Sequence, residues 1–110
     1  MLFKRDLIEK ILKGEKTMTS RNKKLYNAGD VTNLMADKDF SKITGYYIKI
    51  LRVYKKTLGT FTNVDAKKEG FKDLTELKRY WIENKIGCWE PETIVWVHEF
   101  KKCLQFEGKS

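Results

Sequence analysis

The sequence predicts an α+β domain built as a small, closed or nearly closed β-barrel of about five to six strands, with helices covering its ends. Three observations lead there. Residues 45–55 and 93–102 alternate with apolar side chains on both faces: Tyr46, Ile48 and Ile50 against Tyr47 and Leu51, and Ile94, Trp96, His98 and Phe100 against Val95 and Val97. Strands of that kind are at least half buried on each side. Segments with the 3.6-residue apolar period of helices are interleaved with them. Finally, 110 residues at 41% hydrophobic and 13% aromatic content support one core and not two, so two-faced strands must curl about a common interior in a single domain spanning residues 1–110.

Each element has its local reason. Phe3, Leu7, Ile8, Ile11 and Leu12 share one face of a helix over residues 4–13, and Gly14 ends it in a left-handed cap. Residues 17–22 favour a strand, and Asn27-Ala28-Gly29-Asp30 is a turn into a second strand at 31–36. After the long strand at 45–55, Thr62 or Asn63 caps a short helix over 64–69, which Gly70 closes with Phe71 packed behind it. Asp73-Leu74-Thr75-Glu76 has the spacing of a capping box. It opens a helix that turns Leu74, Leu77, Tyr80 and Trp81 inward and ends near Lys85. Glu90-Pro91-Glu92 is a turn into the last strand, and no repeat or low-complexity tract interrupts the chain.

Composition narrows the functional classes. A net charge of +8, from 23 Lys+Arg against 15 Asp+Glu, favours polyanionic partners. The chain has no apolar run long enough to cross a membrane, and it turns charged at Lys4 with no leader-like block. The expectation is a cytoplasmic protein without a membrane partner. Cys88, Cys103 and His98 are too few and too scattered for a zinc site, so neither metal nor cofactor is expected. In a reducing compartment both thiols are read as small buried side chains, and His98 as a satisfied strand histidine.

Chemistry concentrates in Gly14-Glu15-Lys16-Thr17-Met18-Thr19-Ser20-Arg21. As a strand, this segment puts Thr17, Thr19 and Arg21 on one face and Met18 and Ser20 on the other. A threonine hydroxyl reacts at neutral pH only when a base takes its proton, and a lysine is such a base only when its pKa is lowered. Arg21 could supply the lowering field or grip an anionic or carbonyl group. The plain alternative is a set of solvated residues near a helix end. Tyr26 and Trp89, in loop-like sequence, are candidates to stack on bases, while Trp96 reads as core. Lys23 and Lys24 beside Arg21 form a basic rim suited to phosphate.

Gly14, Lys16, Thr19 and Arg21 match the GxKxxTxR signature of the ASCH domain, a branch of the PUA-like β-barrels. Gly29-Asp30, the Asp65-Ala66…Glu69-Gly70-Phe71 segment, the Leu74-x-x-Leu77 helix with Trp81, and Trp96-Val97-His98-Glu99-Phe100 follow in the family's order. The chain thus resembles that family along nearly its whole length. The resemblance implies a PUA-like fold whose signature faces a cleft between barrel and helices, a surface that commonly meets RNA. The chain is also similar to the small bacterial ASCH amidohydrolases that remove the acetyl group of 4-acetylcytidine. By that likeness Lys16 is the base, Thr19 the nucleophile and Glu69 the proton donor to the leaving amine, with Asp65 the substitute acid. Arg21, Gly14, Lys23, Tyr26 and Trp89 are then candidates to contact a modified nucleoside or RNA, and a monomer suffices. A non-catalytic RNA-binding module is the second reading, and an RNA-cleaving enzyme the third.

Overall fold

A computed structural model describes residues 1–36, 43–84 and 87–103. The chain runs β1 (Leu2–Phe3), α1 (Arg5–Leu12), β2 (Met18–Arg21), β3 (Val31–Ala36), β4 (Ile43–Thr57), a 3-10 turn (Leu58–Thr60), α2 (Asn63–Lys68), α3 (Leu74–Glu83) and β5 (Ile94–Cys103). The strands form one sheet in the order β1-β3-β4-β5-β2. Four of them pair antiparallel, and the short β1 adds a parallel edge against Met35 and Ala36 of β3. The sheet curls into a half-barrel flanked by helices, the α+β, PUA-like architecture expected.

The curl has a visible cause. Register slips between Ile50 and Arg52 where β4 meets β5, and between Asn33 and Met35 where β3 meets β4. Such bulges bend a strand and deepen its twist. The interior fills from both layers: Met18, Leu34, Ile48, Ile50, Val95 and Val97 from the sheet pack with Ile11, Leu58, Ala66, Leu77 and Trp81 from the helical side. His98 is buried in β5; its Nε2 accepts the Leu25 N–H at 3.2 Å, but its Nδ1 is buried with no hydrogen-bond partner among the described residues, so the histidine expected to be satisfied is satisfied at one nitrogen only.

Helix ends follow local chemistry, with two adjustments. Thr62 is the cap of α2, and its capping box is complete: Thr62 Oγ1 accepts from the Asp65 N–H, and the Asp65 carboxylate accepts from the Thr62 N–H. At α3 the box is half made, since Asp73 caps the Glu76 N–H but the Glu76 side chain takes the Lys72 N–H instead. This helix ends at Glu83 with Asn84 as its C-cap, close to the end expected near Lys85, which itself lies outside the described residues. Of the two thiols expected to be buried, Cys103 is, whereas Cys88 is exposed; it follows Gly87 in a loop. Among the described residues no helix is long and apolar enough to cross a membrane.

Candidate active site

Two backbone joints bring the signature segment to the end of α2. The Thr17 N–H donates to the Lys68 carbonyl at 2.7 Å, and the Thr17 carbonyl accepts from the Phe100 N–H at 2.9 Å. The entry to β2 is thereby held between α2 and β5. Gly70, at φ +97°, turns the chain out of α2 directly against this entry. A side chain there would place its Cβ 3.2 Å from Lys16 Cβ and 3.3 Å from Lys10 Cδ, so Gly70 lets the two segments touch. The Lys10 ammonium fastens the same corner by donating to the Gly70 carbonyl at 2.6 Å.

Lys16 is 3% exposed and Glu69 4%. Lys16 Nζ donates to the carbonyls of Met18 at 2.9 Å and of Glu69 at 2.8 Å, and stands 3.9 Å from Glu69 Oε1. Ser20 Oγ donates to Glu69 Oε2. Thr19 is also buried, and its Oγ1 accepts a long hydrogen bond from Arg21 Nε at 3.4 Å. Lys16 and Arg21 both lie over the Phe3 ring, at 5.7 and 5.1 Å from its centre.

Burial dominates the electrostatics of the pair. It pushes the Lys16 amine from its usual 10.5 down to about 8, with Arg21 and Lys10 pushing the same way and Glu69 pulling back. Burial likewise raises the Glu69 carboxyl, against the opposing pull of Lys16, the Ser20 hydrogen bond and Arg21. Both groups are driven toward their neutral forms, one a base and the other an acid.

These groups line a cleft of about 360 Å³ whose other walls come from Phe3, Leu7, Phe71, Leu77, Tyr80 and Trp81, with Lys4, Asn22 and Asn84 adding polar groups. A flat aromatic ligand could lie among these rings with hydrogen-bonding groups toward Lys16, Thr19 and Arg21. Among the described residues no cluster of three His, Cys, Asp or Glu side chains could hold a metal ion.

Of the eight residues singled out from the sequence, Lys16, Thr19, Arg21 and Glu69 meet on this cleft, and the other four lie off its walls. Gly14 is an exposed left-handed residue closing α1, at φ +82°. Lys23 is exposed on the segment after β2. Tyr26 is half buried and meets His98 edge-on at 6.4 Å. Trp89 is half buried and packs edge-on against Phe61 and Trp81, at 5.8 and 5.4 Å. Asp65, the substitute acid, is engaged in capping α2 and pairs with Lys56 at 3.7 Å. Trp96 is half buried, not core, with the Lys24 and Lys55 ammonium groups at 5.7 and 5.2 Å from its ring.

Ser20 is a cleft residue that the sequence did not single out, because alternation sets it on the face opposite Thr19 and Arg21. Thr17 is exposed while Thr19 and Ser20 are both buried and both line the cleft. β2 is an edge strand, paired to β5 alone, and a cleft at an open edge takes side chains from either face of the pleat.

Solved structures with this architecture include an ASCH domain from Lactobacillus crispatus JV V101, with a TM-score of 0.70 at 17% identity over 88% of this chain and 70% of that one. A protein from Enterococcus faecalis V583 superposes with a TM-score of 0.62 at 15% identity, over 89% of this chain and 67% of that one. A comparison with curated proteins found no match. The family model described as ASCH domain matches residues 1–103, so the chain belongs to the ASCH domain family.

Proposed function

We propose that this protein hydrolyses the acetamide of 4-acetylcytidine or of a related modified nucleoside, using Lys16, Thr19 and Glu69. The observation that supports it most is the buried Lys16–Glu69 pair, driven toward neutrality on the wall of an aromatic-lined cleft that also holds the Thr19 hydroxyl. Amide cleavage needs a base to activate the nucleophile and an acid to protonate a poor leaving nitrogen. One proton shared between Lys16 and Glu69 provides both. When it sits on Glu69, the neutral Lys16 amine keeps two N–H donors for the Met18 and Glu69 carbonyls and has a lone pair left over.

In the first step Thr19 Oγ attacks the acetyl carbonyl carbon as Lys16 takes the hydroxyl proton. The carbon–nitrogen bond then breaks as Glu69 delivers its proton to the exocyclic amine, leaving acetyl-Thr19 and cytidine. Water then attacks the ester as Glu69 takes its proton, and Lys16 returns a proton to the departing Thr19 Oγ, releasing acetic acid and restoring both groups. Arg21, close to Thr19 Oγ1, is placed to stabilise negative charge developing on the carbonyl oxygen. The test is chromatographic: purified protein with 4-acetylcytidine, with Lys16→Ala, Thr19→Ala and Glu69→Gln as controls. Cytidine release should be lost by at least about a hundredfold in each variant that remains folded. Turnover unchanged in Thr19→Ala would remove the nucleophile and the mechanism with it.

A second reading, non-catalytic RNA binding, is favoured by one separate feature. Arg21, Trp96 and Lys55 are paired across β2, β5 and β4, and Lys24 joins the Trp96 ring from the following loop. That row suits phosphates beside a base, and it predicts RNA affinity that falls steeply with salt.

A further inference from the structure

The mechanism above leaves the Ser20 hydroxyl unused, yet among the described residues it is the side-chain donor within hydrogen-bond reach of the Glu69 carboxylate. Ser20 is buried on the edge strand, opposite Val97 of β5, while Glu69 caps the C-terminal end of α2. The hydrogen bond therefore joins two elements 49 residues apart in the chain. The two carboxylate oxygens are not equivalent. Oε2 accepts from Ser20, whereas Oε1 faces Lys16 at 3.9 Å, beyond direct hydrogen-bond reach.

We propose that Ser20 is a positioning residue for Glu69: its hydroxyl occupies Oε2 and so reserves Oε1, on the Lys16 side, as the oxygen that takes up and returns the proton. The assignment rests on the reading of Lys16 and Glu69 as a proton-exchanging pair. A hydroxyl donating to Oε2 serves both states of the acid, since Oε2 is an acceptor in the carboxylate and remains the carbonyl acceptor once Oε1 is protonated. The bond is stronger to the charged form, so Ser20 also restrains how readily Glu69 is protonated. The other charges acting on Glu69 are Lys16 ahead of β2, Arg21 on β2 and Asp65 on α2, with Lys10 of α1 acting through Lys16. None is altered by a change at Ser20.

The experiment compares the wild type with Ser20→Ala and Ser20→Thr in two readouts. In the pH profile of kcat/KM on 4-acetylcytidine, Ser20→Ala should move the limb set by Glu69 up by about one pH unit and leave the limb set by Lys16 in place. Ser20→Thr should restore the wild-type limb. The second readout needs no turnover: the infrared carboxylic-acid band that disappears in Glu69→Gln is followed against pH, and its midpoint should rise equally in Ser20→Ala. If Ser20→Ala does not fold, Ser20→Cys, a weaker donor of similar shape, should give a smaller shift in the same direction. A band midpoint unmoved by Ser20→Ala, or a lower rate with both limbs fixed, overturns the proposal. A shifted band in a protein that releases no cytidine overturns the amidohydrolase reading and leaves the role of Ser20 standing.

Discussion

Between pH 8 and pH 10 the fold should gain stability, and Lys16→Met should abolish the gain. The Lys16 amine titrates near 10.5 in the unfolded chain and near 8 when buried. In that interval the unfolded state binds the proton more tightly, so stability rises with pH. The interval, 10.5 minus 8, is 2.5 pH units wide, which at 1.36 kcal/mol per unit corresponds to about 3 kcal/mol, most of it gained by pH 10. Glu69 bends the variant's curve the other way. Deprived of its cation, it titrates higher still, so Lys16→Met loses stability as pH rises from the unfolded value of 4.5 through that raised pKa. The assay is urea unfolding followed by tryptophan fluorescence, which the buried Trp81 makes sensitive, at constant ionic strength from pH 5 to pH 10. Tyr54, whose pKa burial and its bond to Glu99 hold up, loses stability at the alkaline end in both proteins and cancels in the difference. Parallel stability curves for wild type and Lys16→Met would refute the reasoning, because they would mean Lys16 carries the same proton folded and unfolded.

Two other perturbations separate backbone from packing and surface from core. Gly70→Ala and Gly14→Ala impose the same left-handed strain, about 1–2 kcal/mol, but only Gly70 has atoms within 4 Å of a new Cβ. Its melting temperature should fall further than that of Gly14→Ala by several degrees, and an equal fall would deny the contact with Lys16. Of the two thiols, exposed Cys88 should react with a disulfide reagent in native buffer, and buried Cys103 only after denaturation. Rapid reaction of both would mean that the end of β5 opens readily.

Most of the architecture was legible because its signals are local. The apolar face of α1, the Thr62 cap of α2 and the two-faced alternation of β5 each lie within a dozen residues. β1 was not legible, since two residues pairing with Met35 and Ala36 carry no period of their own. Trp89 does lie in a loop, as read, but nothing near it in the chain announces that Phe61 and Trp81 pack against its ring. Lys16 and Glu69 lie 53 positions apart, a distance that spacing cannot bridge, and the family resemblance linked them. Ser20 escaped because alternation sets it on the face opposite Thr19, and only the fold shows that the cleft beside the edge strand β2 is lined by both.

The buried pair is hard to explain by stability alone. Desolvating a lysine and a glutamate costs as much as their attraction returns, and an apolar pair of similar volume would often hold the fold as well. A structural case exists for Lys16 by itself, since its ammonium ties the Met18 carbonyl of β2 to the Glu69 carbonyl at the end of α2, where a helix favours a cation. That staple uses the backbone of residue 69 and has no need of its side chain. A carboxylate is also the wrong charge for the C-terminal end of a helix. A glutamine at 69 would keep the staple and the hydrogen bond from Ser20, but it would leave the Lys16 ammonium buried without its counter-charge, which destabilises the fold until the amine gives up its proton. What it could not do is exchange a proton with Lys16. The Glu69 carboxyl, buried beside a lowered lysine at the wall of an aromatic cleft, thus balances the Lys16 charge in the fold and, in the proposed reaction, is the group that would exchange its proton.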